Sequence, residues 1–335
     1  MDEKLISIRD LRVAFKEQSG IFAHAKTTVA VDGVSLEILK GEILGLVGES
    51  GSGKSTLGKA ILSLVKKESG EVFFKNQEVA SLDHRGVRSL RKATSMIFQD
   101  PYASLNPKMT VGEIVAEPLS THKLVPAKEI PERVRVLLES VGLSSASEKS
   151  FPHQFSGGQR QRIAIARALA SKPEFIVADE PVSALDVSIQ SQIIKLLDRL
   201  RSELNLTMLF ISHDLRVVRI IADRIAVMYL GQIVELGDAQ SVFENPLMPY
   251  TQALVSAIPS LDPGVALGRF ESMLPDETPS PTKPSRGCRF SSRCSFALES
   301  CRTEEPKLTE IRPNHWAACL RISSSDRKST RLNSS

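Results

Sequence analysis

The chain has 335 residues, 41% of them apolar and 24% charged, with a formal net charge of +4, so it can bury a real core and is not a disordered polyelectrolyte. A balance so near neutral argues against a protein that coats nucleic acid. No run approaches the roughly 20 consecutive apolar residues that cross a bilayer, and Met1-Asp2-Glu3-Lys4 leads into no apolar signal core, which predicts a soluble, cytoplasmic chain whose membrane role would come through a partner.

Residues 5–15 alternate apolar and polar and predict a strand, and residues 29–38 predict a second. Ile43-Leu44-Gly45-Leu46-Val47 is a continuous apolar run, the pattern of a strand covered on both faces. It leads into a glycine-rich loop and a helix over about residues 55–65. Residues 71–98 read as further short strands around a charged turn. The pattern is helical from 111 to 142, punctuated by Pro118, Pro126 and Pro131. Residues 161–170 predict a helix, 175–178 a buried strand, 187–204 a helix, and 207–211 and 224–228 two short strands. This order predicts an α/β fold with a largely parallel sheet flanked by helices. There is no internal repeat.

Past about Tyr250 the composition shifts. Six prolines fall between Pro259 and Pro284, and then come the four cysteines, Cys288, Cys294, Cys301 and Cys319. Four such late cysteines do not describe a secreted disulfide framework. The last ten residues, 326–335, resemble translated sequencing-adapter read-through; they carry three positive charges and one negative, so the balance without them is +2. They are set aside as a non-native tail.

Three elements carry chemistry. Gly48-Glu49-Ser50-Gly51-Ser52-Gly53-Lys54-Ser55, followed by Thr56, fits G-x-x-x-x-G-K-[ST] and falls between a buried strand and a helix. Its backbone N–H groups would wrap phosphates at a helix N-terminus, Lys54 would reach the β- and γ-phosphates, and the Ser55 hydroxyl would ligate Mg²⁺. Asp179 and Glu180 close a buried strand. Alone, the pair could merely cap the next helix; downstream of a phosphate loop, Asp179 suits a Mg²⁺ contact and Glu180 can orient or deprotonate a water. Ser156-Gly157-Gly158-Gln159 opens a helix and forms a second anion-binding loop. One nucleotide needs only one such loop, so a second implies that two chains share each nucleotide.

In this order the motifs resemble the ATP-binding subunits of ABC transporters, and the Ser-Gly-Gly-Gln signature separates them from P-loop kinases and small GTPases. The resemblance implies a P-loop NTPase core of the ABC type with a helical signature subdomain, plus a small cysteine-containing C-terminal extension. It implies ATP and Mg²⁺ as cofactors and adds Gln99 as the glutamine that touches Mg²⁺ or the attacking water and relays to the membrane partner. Ser183-Ala184-Leu185-Asp186 resembles the loop that crosses the dimer interface. His213 resembles the switch histidine that holds the γ-phosphate. Phe15 is the candidate to stack on adenine, with Phe22 competing and ordinary strand core as the alternative.

Within the family the resemblance is to the subunits that energise oligopeptide and dipeptide importers, a group that includes nickel importers. It runs through Gln99-Asp100-Pro101-Tyr102-Ala103-Ser104-Leu105-Asn106-Pro107, Asp179-Glu180-Pro181-Val182-Ser183-Ala184-Leu185-Asp186-Val187-Ser188 and Met248-Pro249-Tyr250-Thr251-Gln252-Ala253-Leu254. The expected division is an ATPase domain over 1–255 with its helical subdomain at about 100–165, an extension over 256–325 and the tail. The implied partners are two integral-membrane permeases, a second, non-identical ATP-binding subunit and an extracytoplasmic solute-binding protein, with no nucleic acid, at the cytoplasmic face of the membrane. The solute itself is not encoded here, because it never touches this subunit. The four cysteines could ligate a [4Fe–4S] cluster or zinc, or remain plain thiols; the resemblance favours the cluster. Two other readings stay open, a non-transport ABC ATPase acting on nucleic acid or ribosomes and a redox adaptor with a decayed ATPase. Charge, the single nucleotide domain and the filled catalytic positions speak against them.

Overall fold

The computed structural model describes residues 3–17, 26–258 and 286–322. Phe22, the proline-rich stretch and the last ten residues lie outside the described residues. In chain order the first half comprises β1 (Lys4–Glu17), β2 (Lys26–Leu39), β3 (Ile43–Val47), α1 (Lys54–Ile61), β4 (Ser69–Phe74), β5 (Gln77–Glu78), α2 (His84–Ala93), β6 (Thr94–Ile97), α3 (Pro101–Ser104), α4 (Val111–Thr121) and α5 (Ile130–Ser140). Then follow α6 (Gly157–Leu169), β7 (Phe175–Asp179), α7 (Val187–Leu204), β8 (Thr207–Ser212), α8 (Leu215–Ile221), β9 (Arg224–Tyr229), β10 (Gln232–Asp238), α9 (Ala239–Glu244), α10 (Pro249–Ser256), β11 (Thr309–Arg312) and β12 (His315–Ala317). None of the described helices is long and apolar enough to cross a membrane.

Contacts divide the chain into two compact units. The first takes Met1–Ser7, Glu37–Ile43 and Phe73–Ser212. Here β6, β7 and β8 form a parallel ladder, with Thr94 opposite Phe175 and Phe175 opposite Thr207. Every position of β7 and β8 is buried, which is why both read as unbroken apolar runs rather than alternating ones. The ladder ends by placing Asp179 beside Ile211. Helices α4, α5 and α6 pack on one another. α4 begins at a capping box in which Thr110 and Glu113 satisfy each other's backbone N–H.

The stretch expected to hold only short strands, 71–98, contains α2 as well. Its sequence is His-Arg-Gly-Val-Arg-Ser-Leu-Arg-Lys-Ala and only Leu90 is buried, so there is no apolar stripe to reveal the helical period. The start signal was there: Asp83 accepts from the Gly86 N–H at 2.7 Å.

The second unit takes Ile8–Leu36, Leu44–Val72 and His213–Ser335. β3 runs parallel to β9, β9 antiparallel to β10, β10 antiparallel to β12, and β12 antiparallel to β11. Helix α1 is shorter than expected and stops at Ile61, with Ser63 left-handed at φ 55°.

Residues 286–322 therefore extend the sheet that carries β3. Their anchor is Glu235 on β10, 0% exposed, which accepts the N–H groups of Leu247 (2.7 Å) and Met248 (2.8 Å) and meets His315 Nε2 of β12 at 2.8 Å. Removing one partner of such a buried cluster strands the others. Glu235→Ala is expected to cost about 3 kcal/mol of stability in urea unfolding, whereas a surface carboxylate would cost under about 0.5 kcal/mol.

Candidate active site

In the second unit the loop over residues 48–55 leaves the C-terminal end of β3 and enters α1. Gly53 caps α1 in the left-handed region, φ 105°, and a Cβ there would stand 2.0 Å from the Ala30 carbonyl oxygen. No other residue satisfies both demands. Lys54 is 4% exposed, and its ammonium donates to the carbonyls of Gly48 (2.7 Å) and Glu49 (2.8 Å) and to Ser52 Oγ (3.3 Å). The lysine is thus held inside its own loop, where an incoming phosphate would compete for it. Ser55 and Thr56 follow in the first turn of α1. The same unit holds His213, exposed just before α8, and Phe15 on β1, 43% exposed.

The first unit holds the acidic pair, Gln99 and the signature loop. Asp179 is buried at the end of β7 and Glu180 follows with φ 45°, a strained backbone for a non-glycine residue, of the kind that clusters at functional sites. Gln99 Nε2 donates to Glu180 Oε2 at 2.9 Å, so two residues 81 positions apart are joined directly. Ser156 caps α6: its hydroxyl accepts the Gln159 N–H at 3.3 Å, while Gln159 Oε1 accepts the Ser156 N–H at 3.0 Å. The segment after Glu180 backs this loop. A Cβ on Gly157 would lie 3.3 Å from Leu185, and one on Gly158 would lie 2.5 Å from Ile189.

Sequence patterns missed the residues that brace the loop over 48–55 from a distance. Tyr250 Oη accepts the Glu49 N–H at 2.9 Å, and Arg293 forks onto the Glu49 carboxylate at 2.9 and 3.0 Å. At separations of 201 and 244 residues, no local period could signal them. In the first unit, Tyr102 is 65% exposed and carries the Arg160 guanidinium 3.7 Å over its ring.

Cys288, Cys294, Cys301 and Cys319 are all unbridged, and they line one small cavity with Met248, Phe290, Phe296 and Arg321. Burial raises the thiols of Cys294 and Cys319 above the ordinary cysteine range and pushes Cys288 up to about 11, with the neighbouring cysteines adding to it. As they stand, no group of three or more His, Cys, Asp or Glu side chains among the described residues is disposed to hold a metal ion.

A glycine-rich loop between a parallel strand and a helix, a strand closed by two carboxylates and a Ser-Gly-Gly-Gln helix start together describe a P-loop ATPase of the ATP-binding cassette type. The comparisons agree. The ABC transporter family model matches residues 31–183, and the model of the oligopeptide/dipeptide transporter C-terminal region matches residues 234–301. The chain is 49% identical over 319 residues to the oligopeptide transport ATP-binding protein AppF of Bacillus subtilis, covering 95% of this chain and 97% of that one. It is 48% identical to OppF of Escherichia coli, covering 95% and 96%. Among solved structures it resembles the ATP-binding cassette MJ0796 bound to ADP and Pi (TM-score 0.62, 31% identity, 70% of this chain and 98% of that one). It also resembles cbiO1 of Clostridium perfringens (TM-score 0.63, 28% identity, 73% and 92%). The chain belongs to the ABC transporter family, in its oligopeptide-transporter group of ATP-binding proteins, and is an ATP-hydrolysing transporter subunit.

Proposed function

We propose that this chain energises the import of di- or oligopeptides as one of two non-identical ATP-binding subunits, docked on two permeases at the cytoplasmic face of the membrane and served by a solute-binding protein. The observation that carries the reading is near full-length similarity to oligopeptide transport ATP-binding proteins, through both the ATPase and the C-terminal region. The backbone of residues 48–53 cradles the phosphates, with Lys54 neutralising the β- and γ-oxygens and Thr56 in the first turn of α1. Phe15 offers a half-exposed ring for the adenine. The carboxylate of Asp179 and the Gln99 amide of the first unit, and the Ser55 hydroxyl of the second, are each the kind of hard oxygen donor that Mg²⁺ takes, and the ion when bound would neutralise charge developing on the phosphates. Glu180 takes a proton from the attacking water, with Gln99 holding its carboxylate and His213 on the γ-phosphate. Residues 156–159 of one subunit close on the nucleotide held by the phosphate loop of the other. Exposed Phe98 and Tyr102 flank Gln99, which supports this stretch as the permease-facing one.

Affinity purification of the chain from native membranes tests the reading. It should recover two permeases, a second ATP-binding subunit and a solute-binding protein. Recovery with ribosomes or nucleic acid would overturn it.

The cysteine cavity supports a second part of the proposal. Four thiols around an apolar pocket with one arginine are the donor chemistry of a Cys₄ iron–sulfur cluster, which would cross-link a segment poor in apolar core. Anaerobically purified protein should then be brown with about four iron atoms per chain, and Cys294→Ser should bleach it. Colourless protein with stoichiometric zinc, or four titratable thiols without metal, would overturn the cluster.

A further inference from the structure

The phosphate loop is gripped by the cysteine-bearing segment. Arg293 lies one residue before Cys294, yet its side chain turns away from solvent and is 6% exposed. Its two terminal nitrogens donate to Glu49 Oε2 (2.9 Å) and Oε1 (3.0 Å), and Nη1 also donates to Tyr229 Oη (3.2 Å). A planar fork on a carboxylate fixes direction as well as distance.

Glu49 is well placed to transmit that grip. Its carbonyl accepts both the Lys54 ammonium (2.8 Å) and the Ser52 N–H (3.2 Å), and its own N–H is held by Tyr250 Oη (2.9 Å). Every polar group of this second loop residue is therefore committed, one of them to the lysine that meets phosphate. The fork rests on a packed aromatic floor. Tyr229 and Phe290 meet edge to face with centroids 5.3 Å apart, Tyr250 lies 4.6 Å from Tyr229, and the guanidinium is 5.7 Å from the rings of Tyr229 and Phe290. Burial raises both tyrosine hydroxyls, which keeps them neutral. A loop with three positive-φ glycines, Gly48, Gly51 and Gly53, loses more conformational freedom on ordering than other sequences, so an outside anchor has work to do.

We infer that Arg293 is a positioning residue for ATP hydrolysis: by forking onto Glu49 it holds the phosphate loop, and Lys54 within it, in the conformation that receives ATP. The segment bearing the cysteines is then part of the nucleotide site. The inference rests on residues 48–55 being the phosphate loop.

The test uses the full-length chain in its assembled transporter. Arg293→Met should raise the KM and the Kd for ATP about tenfold or more, while kcat changes less than about threefold. Arg293→Lys should recover only part of the loss, because an ammonium cannot fork. Glu49→Gln/Arg293→Met should bind ATP better than Arg293→Met alone, since no unpaired carboxylate is left. If Arg293→Met does not fold, Glu49→Gln carries the test, and its KM for ATP should rise about threefold or more. ATP affinity within twofold of the parent in the folded Arg293→Met protein or, where that fails to fold, in Glu49→Gln, would overturn the inference. Lys54→Ala keeps the two failures apart. Lost ATP binding in that variant, with Arg293→Met unaffected, sinks the clamp alone. Unchanged ATP binding in Lys54→Ala sinks the phosphate-loop reading and the clamp with it.

Discussion

Glu180→Gln is expected to leave ATP binding intact and to slow hydrolysis by roughly 10²–10⁴-fold, the usual worth of a positioned general base. The geometry isolates the effect. The Glu180 N–H is tied to the Ile211 carbonyl at 3.0 Å, and its carbonyl caps Ser183 through both N–H (3.3 Å) and hydroxyl (3.2 Å). A glutamine keeps these backbone bonds and the side-chain shape, and it still offers an oxygen to the Gln99 amide. Only the capacity to take a proton is lost. The substitution leaves Lys54 and the backbone N–H groups of residues 48–53, the proposed phosphate-binding groups, chemically unaltered. ATP should therefore hold the closed dimer long enough for isolation by size exclusion. Near-normal turnover would move the proton to another group.

Much of this site was legible because its signals are local. The fully buried strands β3, β7 and β8 declare themselves as apolar runs, and α7 coincides with the expected 187–204. The phosphate loop is readable because Gly53 must be glycine on two independent grounds, its positive φ and the Ala30 carbonyl against it. What was not legible depends on distant pairings or lacks an apolar face. Helix α2 buries a single leucine. Strand β12 has three residues, and its place beside β10 hinges on the His315–Glu235 contact between residues 80 apart. The fork of Arg293 on Glu49 is of the same kind. An arginine among cysteines reads as a solvated charge until the fold brings it to the loop.

The signature loop should fail by crowding. Gly158 is buried at the second position of α6, and a Cβ there would stand 2.5 Å from Ile189 Cγ2. That atom sits on a β-branched carbon with little rotameric escape, so Gly158→Ala must push α6 and the start of α7 apart. Overpacking of this kind costs roughly 1–3 kcal/mol. The displaced groups would include the Ser156 cap, whose two reciprocal bonds with Gln159 set the direction of the N–H groups at the head of α6. If those groups close on the nucleotide of the other subunit, ATP-dependent dimerisation should weaken and turnover should fall by roughly 10–100-fold. ATP binding to an isolated subunit should not change, because in the proposed two-chain arrangement residues 156–159 serve the nucleotide held by the other subunit. Adding Ile189→Ala removes the opposing methyl and should restore a good part of turnover, a coupling that a general loss of stability would not give. Equilibrium ATP titration of the monomer and steady-state hydrolysis by the assembled pair measure the two halves. A strictly monomeric form hydrolysing ATP at full rate would end the two-chain mechanism, and with it any role for Gly158 beyond packing.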